Sequence, residues 1–293
     1  MRMRALDAFA AWPAQKKGPI IGCPAPGGKV AGGRRRRGAA RFFGARFLIP
    51  AARWPIMRRV ARGATAAPRR REEVARMSDE SLYCGRFVGV CRTSAGDCGV
   101  FYRVSSRSFP NRTAVAAAGG ALIVPRDPRE AEANPYIAYR CLRHGKGAAV
   151  ASNGSHTDAL FERIAAGMPP RDAFAMVLLA FDYEHDQLDT PRIAACIAGG
   201  AAYLGIVRRT GLQVEELELA PGAARFVATY ELDRIDDLRA RGAIAAGDAA
   251  GIARSLMDAP PFRALSKPVC GACALARGGE FDVAVIDAAA PGR

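Results

Sequence analysis

Ala148-Ala149-Val150-Ala151-Ser152 runs into Asn153-Gly154-Ser155-His156-Thr157-Asp158, and the strand pattern returns only at Arg192 to Ile197. What lies between decides the fold. Ser155 to Asp158 has the spacing of a capping box, in which the first hydroxyl and the last carboxylate serve reciprocal backbone donors. Ala159 to Gly167 then reads as a helix stopped by its glycine. Pro169-Pro170-Arg171-Asp172 opens a second helix, with Phe174, Val177, Leu178 and Phe181 on one face. Strands, two helices and strands again is an α+β order, not the alternation of a doubly wound sheet. Two antiparallel sheets packed face to face, with helices outside, bury such elements economically.

Outward from that centre the period is mostly two. Upstream, Tyr83 to Arg92 and Gly99 to Val104 flank the Gly96-Asp97 turn signal and predict a hairpin. Thr113 to Ala118 and Ala121 to Pro125 form a second pair across Gly119-Gly120, and Tyr136 to Leu142 pairs with Ala148 to Ser152. Downstream, strands are expected over Ala202 to Val207, Leu212 to Leu219 and Arg225 to Tyr230. Beyond Asp233 the pattern weakens to one helix, Ala245 to Met257, and one late strand, Phe281 to Ile286. Neither GxGxxG nor GxxxxGK[ST] occurs, so the common nucleotide fingerprints are absent.

The formal charge of +15 over 293 residues suggests a nucleic-acid partner until it is located. Residues 1–76 carry 19 Lys and Arg against 3 Asp and Glu, leaving 24 basic and 25 acidic groups in the remainder. The basicity belongs to a leader rich in Ala, Arg, Gly and Pro, with the run Arg34 to Arg37, and such composition does not support a packed core. A basic arm and a transit peptide are weighed against a start at Met77, where composition changes abruptly; the last reading is preferred. The chain thus divides into a disordered basic leader (1–76), a folded core (77–233) and a C-terminal extension packed on the same domain (234–293). No stretch reaches the roughly 18 apolar residues of a membrane helix, so neither membrane nor nucleic acid is an expected partner and a cytoplasmic protein is. Cys270-Gly271-Ala272-Cys273 has half a zinc spacing with no second half, and reads as reduced thiols in a loop.

Four segments carry chemistry. Tyr102 to Arg112 packs Arg103, Arg107 and Arg112 with Ser105, Ser106 and Ser108 into eleven residues, a set suited to phosphate oxygens. Asn134-Pro135-Tyr136-Ile137-Ala138-Tyr139 sets two tyrosines three apart, on opposite faces if the segment is extended. Asn153 and Ser155 lie at a strand-to-helix junction, where backbone amides favour anions. Ser155, His156 and Asp158 are too close in sequence for triad geometry. Asp182-Tyr183-Glu184-His185-Asp186 ends the second helix with carboxylates around a lone histidine and is read as a polar helix end.

Taken together, GRFVGV, YRVSSRSFPNR, NPYIAY, SNGSHTD, PPRDA, DYEHDQLDTPRIA and TYE, in that order between Tyr83 and Glu231, resemble the archaeal-type IMP cyclohydrolases. The resemblance implies a four-layered αββα fold similar to the N-terminal-nucleophile hydrolases, without that superfamily's self-processed nucleophile, so Cys84 is not assigned as one. It implies ring closure of a formamido-carboxamide purine ribonucleotide to inosine monophosphate, with no metal and no organic cofactor. By position in the matching strings, Tyr136 is the expected proton donor at the formyl oxygen and Glu184 the base near the carboxamide. Arg107 and Arg103 are expected to anchor the 5′-phosphate or the formyl oxygen. Ser105, Ser106, Arg112, Asn153 and Ser155 complete the expected binding set. A homologue that only binds purine ribonucleotides is the alternative; homo-oligomerisation is left open.

Overall fold

The central strands are buried on both faces, and this forces the layered architecture. Val88 to Cys91, Val100 to Val104 and the Ala- and Cys-rich runs at 148–151 and 193–197 lie beneath neighbours on both sides, as apolar runs without alternation require. The computed structural model describes residues 82–133 and 137–289. The leader, Met77 and Tyr136 lie outside the described residues.

Thirteen strands form among the described residues: β1 (Arg86–Arg92), β2 (Cys98–Ser105), β3 (Arg112–Ala117), β4 (Gly120–Pro125), β5 (Tyr139–Gly145), β6 (Ala148–Ser152), β7 (Arg192–Ala198), β8 (Ala201–Arg208), β9 (Gly211–Leu217), β10 (Ala223–Ala228), β11 (Arg241–Ala243), β12 (Pro268–Arg277) and β13 (Glu280–Asp287). The helices are α1 (Pro128–Ala133), α2 (His156–Ala165), α3 (Pro170–Phe181) and α4 (Ala249–Asp258). One sheet has the order β11-β10-β1-β2-β12-β13 and the other is the meander β3-β4-β5-β6-β7-β8-β9. Every ladder is antiparallel.

Three apolar clusters define four layers. Val88, Tyr102, Ile123, Leu142, Ile193 and Leu204 fill the space between the sheets. Phe87, Phe101, Phe226 and Phe262 pack under α4 on the six-stranded sheet. Leu160, Phe161, Phe174 and Leu178 of α2 and α3 cover the seven-stranded one. The order is therefore αββα. Gly205 in β8 is what admits α3 so closely: a Cβ there would stand 2.3 Å from a Phe174 ring carbon. Among the described residues no helix is long and apolar enough to cross a membrane.

Two local expectations are corrected. Ser155 sits in αR geometry with no side-chain cap bond, so the capping box does not form. Its Asp158 instead pairs with Arg140 and Arg143, while Ser152 and Thr157 hydroxyls hold the turn through the Gly154 carbonyl. Nor is Cys270 to Cys273 a loop: it lies in β12, between β2 and β13. Strand alternation sends Cys270 to the intersheet core and Cys273 to the α4 side, so the two thiols cannot share a metal. Burial pushes the Cys270 thiol up to about 12 and that of Cys273 well above its usual range. Together with β11 and β13, β12 makes residues after Asp233 half of the six-stranded sheet.

Two buried polar side chains fasten helices to sheets. Arg103, fully buried, donates to the carbonyls of Leu256, Phe262 and Leu265 at 2.7, 2.8 and 2.5 Å. Leu256 is in the last turn of α4, so the guanidinium caps the negative end of that helix. His156 donates from Nε2 to the Ile193 carbonyl at 3.1 Å and so ties the start of α2 to β7. Burial, with Arg192 nearby, pushes its pKa down from 6.5 to about 3.

Replacing Arg103 with Met leaves buried carbonyls without donors, at about 1–3 kcal/mol each; chemical denaturation of the variant should show a loss of roughly 3 kcal/mol or more. For His156 the unfolded chain takes up a proton that the folded chain refuses. Its contribution is fully present above pH 6.5 and falls as pH drops toward 3. Urea unfolding of wild type against His156→Gln should therefore diverge below pH 6.5, by about 1.4 kcal/mol per pH unit, and run parallel above it.

Candidate active site

One end of the sandwich gathers most of the chemically capable side chains. Arg86 opens β1 opposite Val104 near the end of β2; Tyr139 opens β5 and Arg192 opens β7. Residues 182–191 return the chain from α3 to β7 across the same end, and Thr229-Tyr230 leaves β10 there. Antiparallel pairing brings these strand starts and strand ends to a common edge.

Glu184 is the centre of the cluster. Its Oε2 lies 3.2 Å from Arg86 Nη2 and its Oε1 3.5 Å from Arg192 Nη1, so a carboxylate bridges a guanidinium from each sheet. All three side chains are largely buried. Burial works against the charge on Arg86, yet Glu184 and the surrounding Tyr139, Tyr102 and Tyr230 phenols raise its pKa above the ordinary arginine value. Tyr102 from one sheet and Tyr139 from the other share a hydrogen bond of 2.5 Å. Burial pushes both phenols up, so both are protonated at neutral pH.

The loop that carries Glu184 is internally braced. Asp186 accepts hydrogen bonds from the amides of Leu188 and Thr190 and from the Thr190 hydroxyl, at 3.1, 2.9 and 2.7 Å. Burial pushes the Asp186 carboxyl up, but these bonds and Arg86 hold it below the usual carboxylate range. The Glu184 amide donates to the Thr190 carbonyl at 2.7 Å. Asp182 and Asp189 both adopt positive φ, 54° and 49°; with ψ at −178°, Asp182 lies outside the left-handed helical region that Asp tolerates.

The expected site residues divide. Arg107 is exposed, its guanidinium 4.1 Å from the centre of the Tyr83 ring and its amide 3.4 Å from the Tyr83 hydroxyl. Tyr83 in turn stacks on Tyr230, with centroids 6.1 Å apart, which brings Arg107 to the Glu184 side of the molecule. Arg112 is buried, bonded to the Phe109 carbonyl at 3.0 Å, and close enough to Tyr139 to act on its ionisation. Ser106 accepts from the Phe109 amide at 2.9 Å and shapes the intervening loop. The Ser105 side chain is buried. It lies against Cys84, whose thiol burial pushes up to about 11.

Others are committed elsewhere. Arg103 follows Tyr102 in β2 and therefore points to the opposite face of the sheet, where its donors hold α4 and the turn after it. Asn153 uses its carbonyl on the Ile193 amide and its NH2 on the Pro191 carbonyl, both at 2.9 Å. It fixes the start of β7 beside Arg192. Ser155 is exposed, with no side-chain bond to the helix it precedes. His185 forms an exposed pair with Asp182 at 3.2 Å. No group of three His, Cys, Asp or Glu that could hold a metal occurs among the described residues.

Arg86, Tyr102, Thr190, Arg192 and Tyr230 were not singled out by residue chemistry, although each lies inside one of the quoted strings. Tyr136 and Tyr139 are expected on opposite faces of an extended segment, whereas β5 begins only at Tyr139.

The family model for IMP cyclohydrolase-like proteins matches residues 83–280, which include every residue of the Glu184 cluster. The chain is 44% identical over 205 residues to the IMP cyclohydrolase of Methanothrix thermoacetophila, a span of 70% of this chain and 98% of that protein. The IMP cyclohydrolase of Methanocella arvoryzae gives the same identity and coverage. That of Halobacterium salinarum is 43% identical over 209 residues, covering 70% of this chain and 99% of its own. With the family's strings converging on one end of an αββα sandwich, the chain belongs to the IMP cyclohydrolase-like protein family.

Proposed function

We propose that this protein is an enzyme, an IMP cyclohydrolase, and that it works in the ring-closing direction. Its substrate is then 5-formamidoimidazole-4-carboxamide ribonucleotide, and its products are inosine monophosphate and water. The observation that carries the reading is the Glu184 carboxylate held between Arg86 and Arg192 among three phenols, within a family whose named members are IMP cyclohydrolases.

Both reacting groups sit on one imidazole ring, so the substrate itself supplies proximity. The protein has to select the rotamers that face each other and manage two protons. Glu184, oriented by its two guanidiniums, accepts the carboxamide N–H and takes that proton as nitrogen bonds to the formyl carbon. The formyl oxygen gains charge as its double bond opens, and it is protonated to give a carbinolamine. Tyr136 is assigned as that donor by its place in NPYIAY. The hydroxyl then leaves as water with the proton held by Glu184, the formamido nitrogen returns its proton to Tyr136 as the C=N bond forms, and the proton left on the former carboxamide nitrogen stays in the closed ring. Arg107, held on the Tyr83 face, is positioned to attract the phosphate or the developing oxyanion; Arg112 and the serine loop supply further donors. Ser155, exposed at the start of α2, stays with the binding set. Arg103 and Asn153 are left out of substrate contact because Arg103 is buried on the α4 side of its sheet and Asn153 is buried against the start of β7.

The reaction needs no redox partner and no group transfer beyond the substrate's own atoms. We place the reaction in the cytoplasm, with neither nucleic acid nor membrane as a partner. In support, the net charge outside residues 1–76 is −1.

Conversion of the formamido-carboxamide ribonucleotide, followed by ultraviolet absorbance, tests the reading directly. Wild type is expected to turn over without added cofactor. Glu184→Gln is expected to lose about 100-fold or more in kcat while inosine monophosphate binding stays within about threefold. Full activity in Glu184→Gln would remove it as the base, and full activity in Tyr136→Phe would remove Tyr136 as the donor.

A further inference from the structure

We propose that Tyr230, acting through Thr190, is a positioning residue for Glu184: a strut from the six-stranded sheet that holds the 182–190 loop in register with Arg107. The proposal rests on the reading of Glu184 as the base, and it accounts for TYE and for the threonine of DTPRIA, which the chemistry above leaves unused.

The direction of each bond in the strut follows from its donors. An ionised carboxylate only accepts, so the Thr190 hydroxyl spends its one proton on Asp186, at 2.7 Å. The contact between Thr190 Oγ1 and the Tyr230 hydroxyl, at 2.9 Å, is then donated by Tyr230. The chain of bonds runs from Tyr230 to Thr190 to Asp186. From the backbone of Thr190 it reaches the Glu184 amide, which donates to the Thr190 carbonyl at 2.7 Å.

At its other end Tyr230 is rigid. Its amide donates to the Cys84 carbonyl at 3.2 Å, and its ring stacks on Tyr83 at 6.1 Å with an interplanar angle of 19°. Gly85 has a φ of +68°, and a Cβ there would lie 2.7 Å from the Tyr230 ring. The close seat of Tyr230 thus excludes any side chain at that position. Tyr83 carries Arg107 on its ring. The same aromatic pair therefore supports the arginine contributed after β2 and, through Thr190, the carboxylate contributed after α3. Glu184 stands near the start of a loop with two positive-φ aspartates, and Tyr230 adds to that loop's internal hydrogen bonds a brace from outside it.

The test is a double-mutant cycle of Tyr230→Phe with Glu184→Gln, with Thr190→Val as an independent break in the strut. Tyr230→Phe keeps the stack on Tyr83 and removes only the hydroxyl. It is expected to lower kcat about tenfold with KM within about twofold, and to add no further loss in the Glu184→Gln background. Losses that multiply in that background, or unchanged kcat in both single variants, overturn the proposal. Hydrogen exchange of the Glu184 and Thr190 amides is read alongside and does not depend on turnover. Faster exchange by about tenfold in Tyr230→Phe supports the strut, and unchanged exchange overturns it. A wild-type chain that failed to cyclise would remove the functional reading, while the exchange rates would still decide the strut.

Discussion

Glu184 between Arg86 and Arg192 is the contact on which the site end of the molecule depends. An isolated carboxylate or guanidinium taken that far out of water is expensive. Here the Glu184 carboxylate is shared between the two guanidiniums, and the Tyr102, Tyr139 and Tyr230 phenols surround Arg86. The two arginines begin strands of different sheets, so the triad also pins the sheets to each other at that edge. The Tyr102–Tyr139 bond does the same a few residues away.

The rest of the architecture holds that edge in place. Small residues dominate the central strands, allowing both sheets and both helical layers to approach closely. Side chains with strong hydrogen-bonding needs occur within these layers where they fasten one element to another. Arg103 caps α4, His156 ties α2 to β7, and Asn153 spans the start of β7. All three are buried and serve the packing of the fold, despite lying in or beside the most distinctive strings of the sequence.

Much of this was legible beforehand, and the failures have identifiable causes. Alternation and turn signals located β1 to β10 within a few residues, and the helix pair between β6 and β7 set the layer order. β12 escaped because it is covered on both faces and built of Cys, Gly and Ala, which removes both the period of two and the β-branched composition that signals a strand. The capping box at Ser155 failed because the backbone there is already helical, which turns the hydroxyl away from the amides it was expected to cap. Arg103 was misplaced although the information was present: one residue after Tyr102 in a strand means the other face. Arg86 and Arg192 were overlooked because each stands at the head of an apolar run and reads as a strand boundary. Only the convergence of distant segments shows them to be partners.

The connectivity also has a consequence for biosynthesis on the ribosome. The seven-stranded sheet is a sequential meander, each strand beside its predecessor apart from the helices inserted between β4 and β5 and between β6 and β7. It can assemble as it emerges from the exit tunnel. The six-stranded sheet cannot: β1 and β2 are made first, yet β2 acquires its second neighbour, β12, only when residues 268–277 have been synthesised. Until then one flank of the earliest hairpin is an open edge of unpaired amides and carbonyls. The nascent protein therefore carries that open edge from the completion of β2 until β12 has been made, and a chain released in between would leave the six-stranded sheet unfinished beside a complete meander.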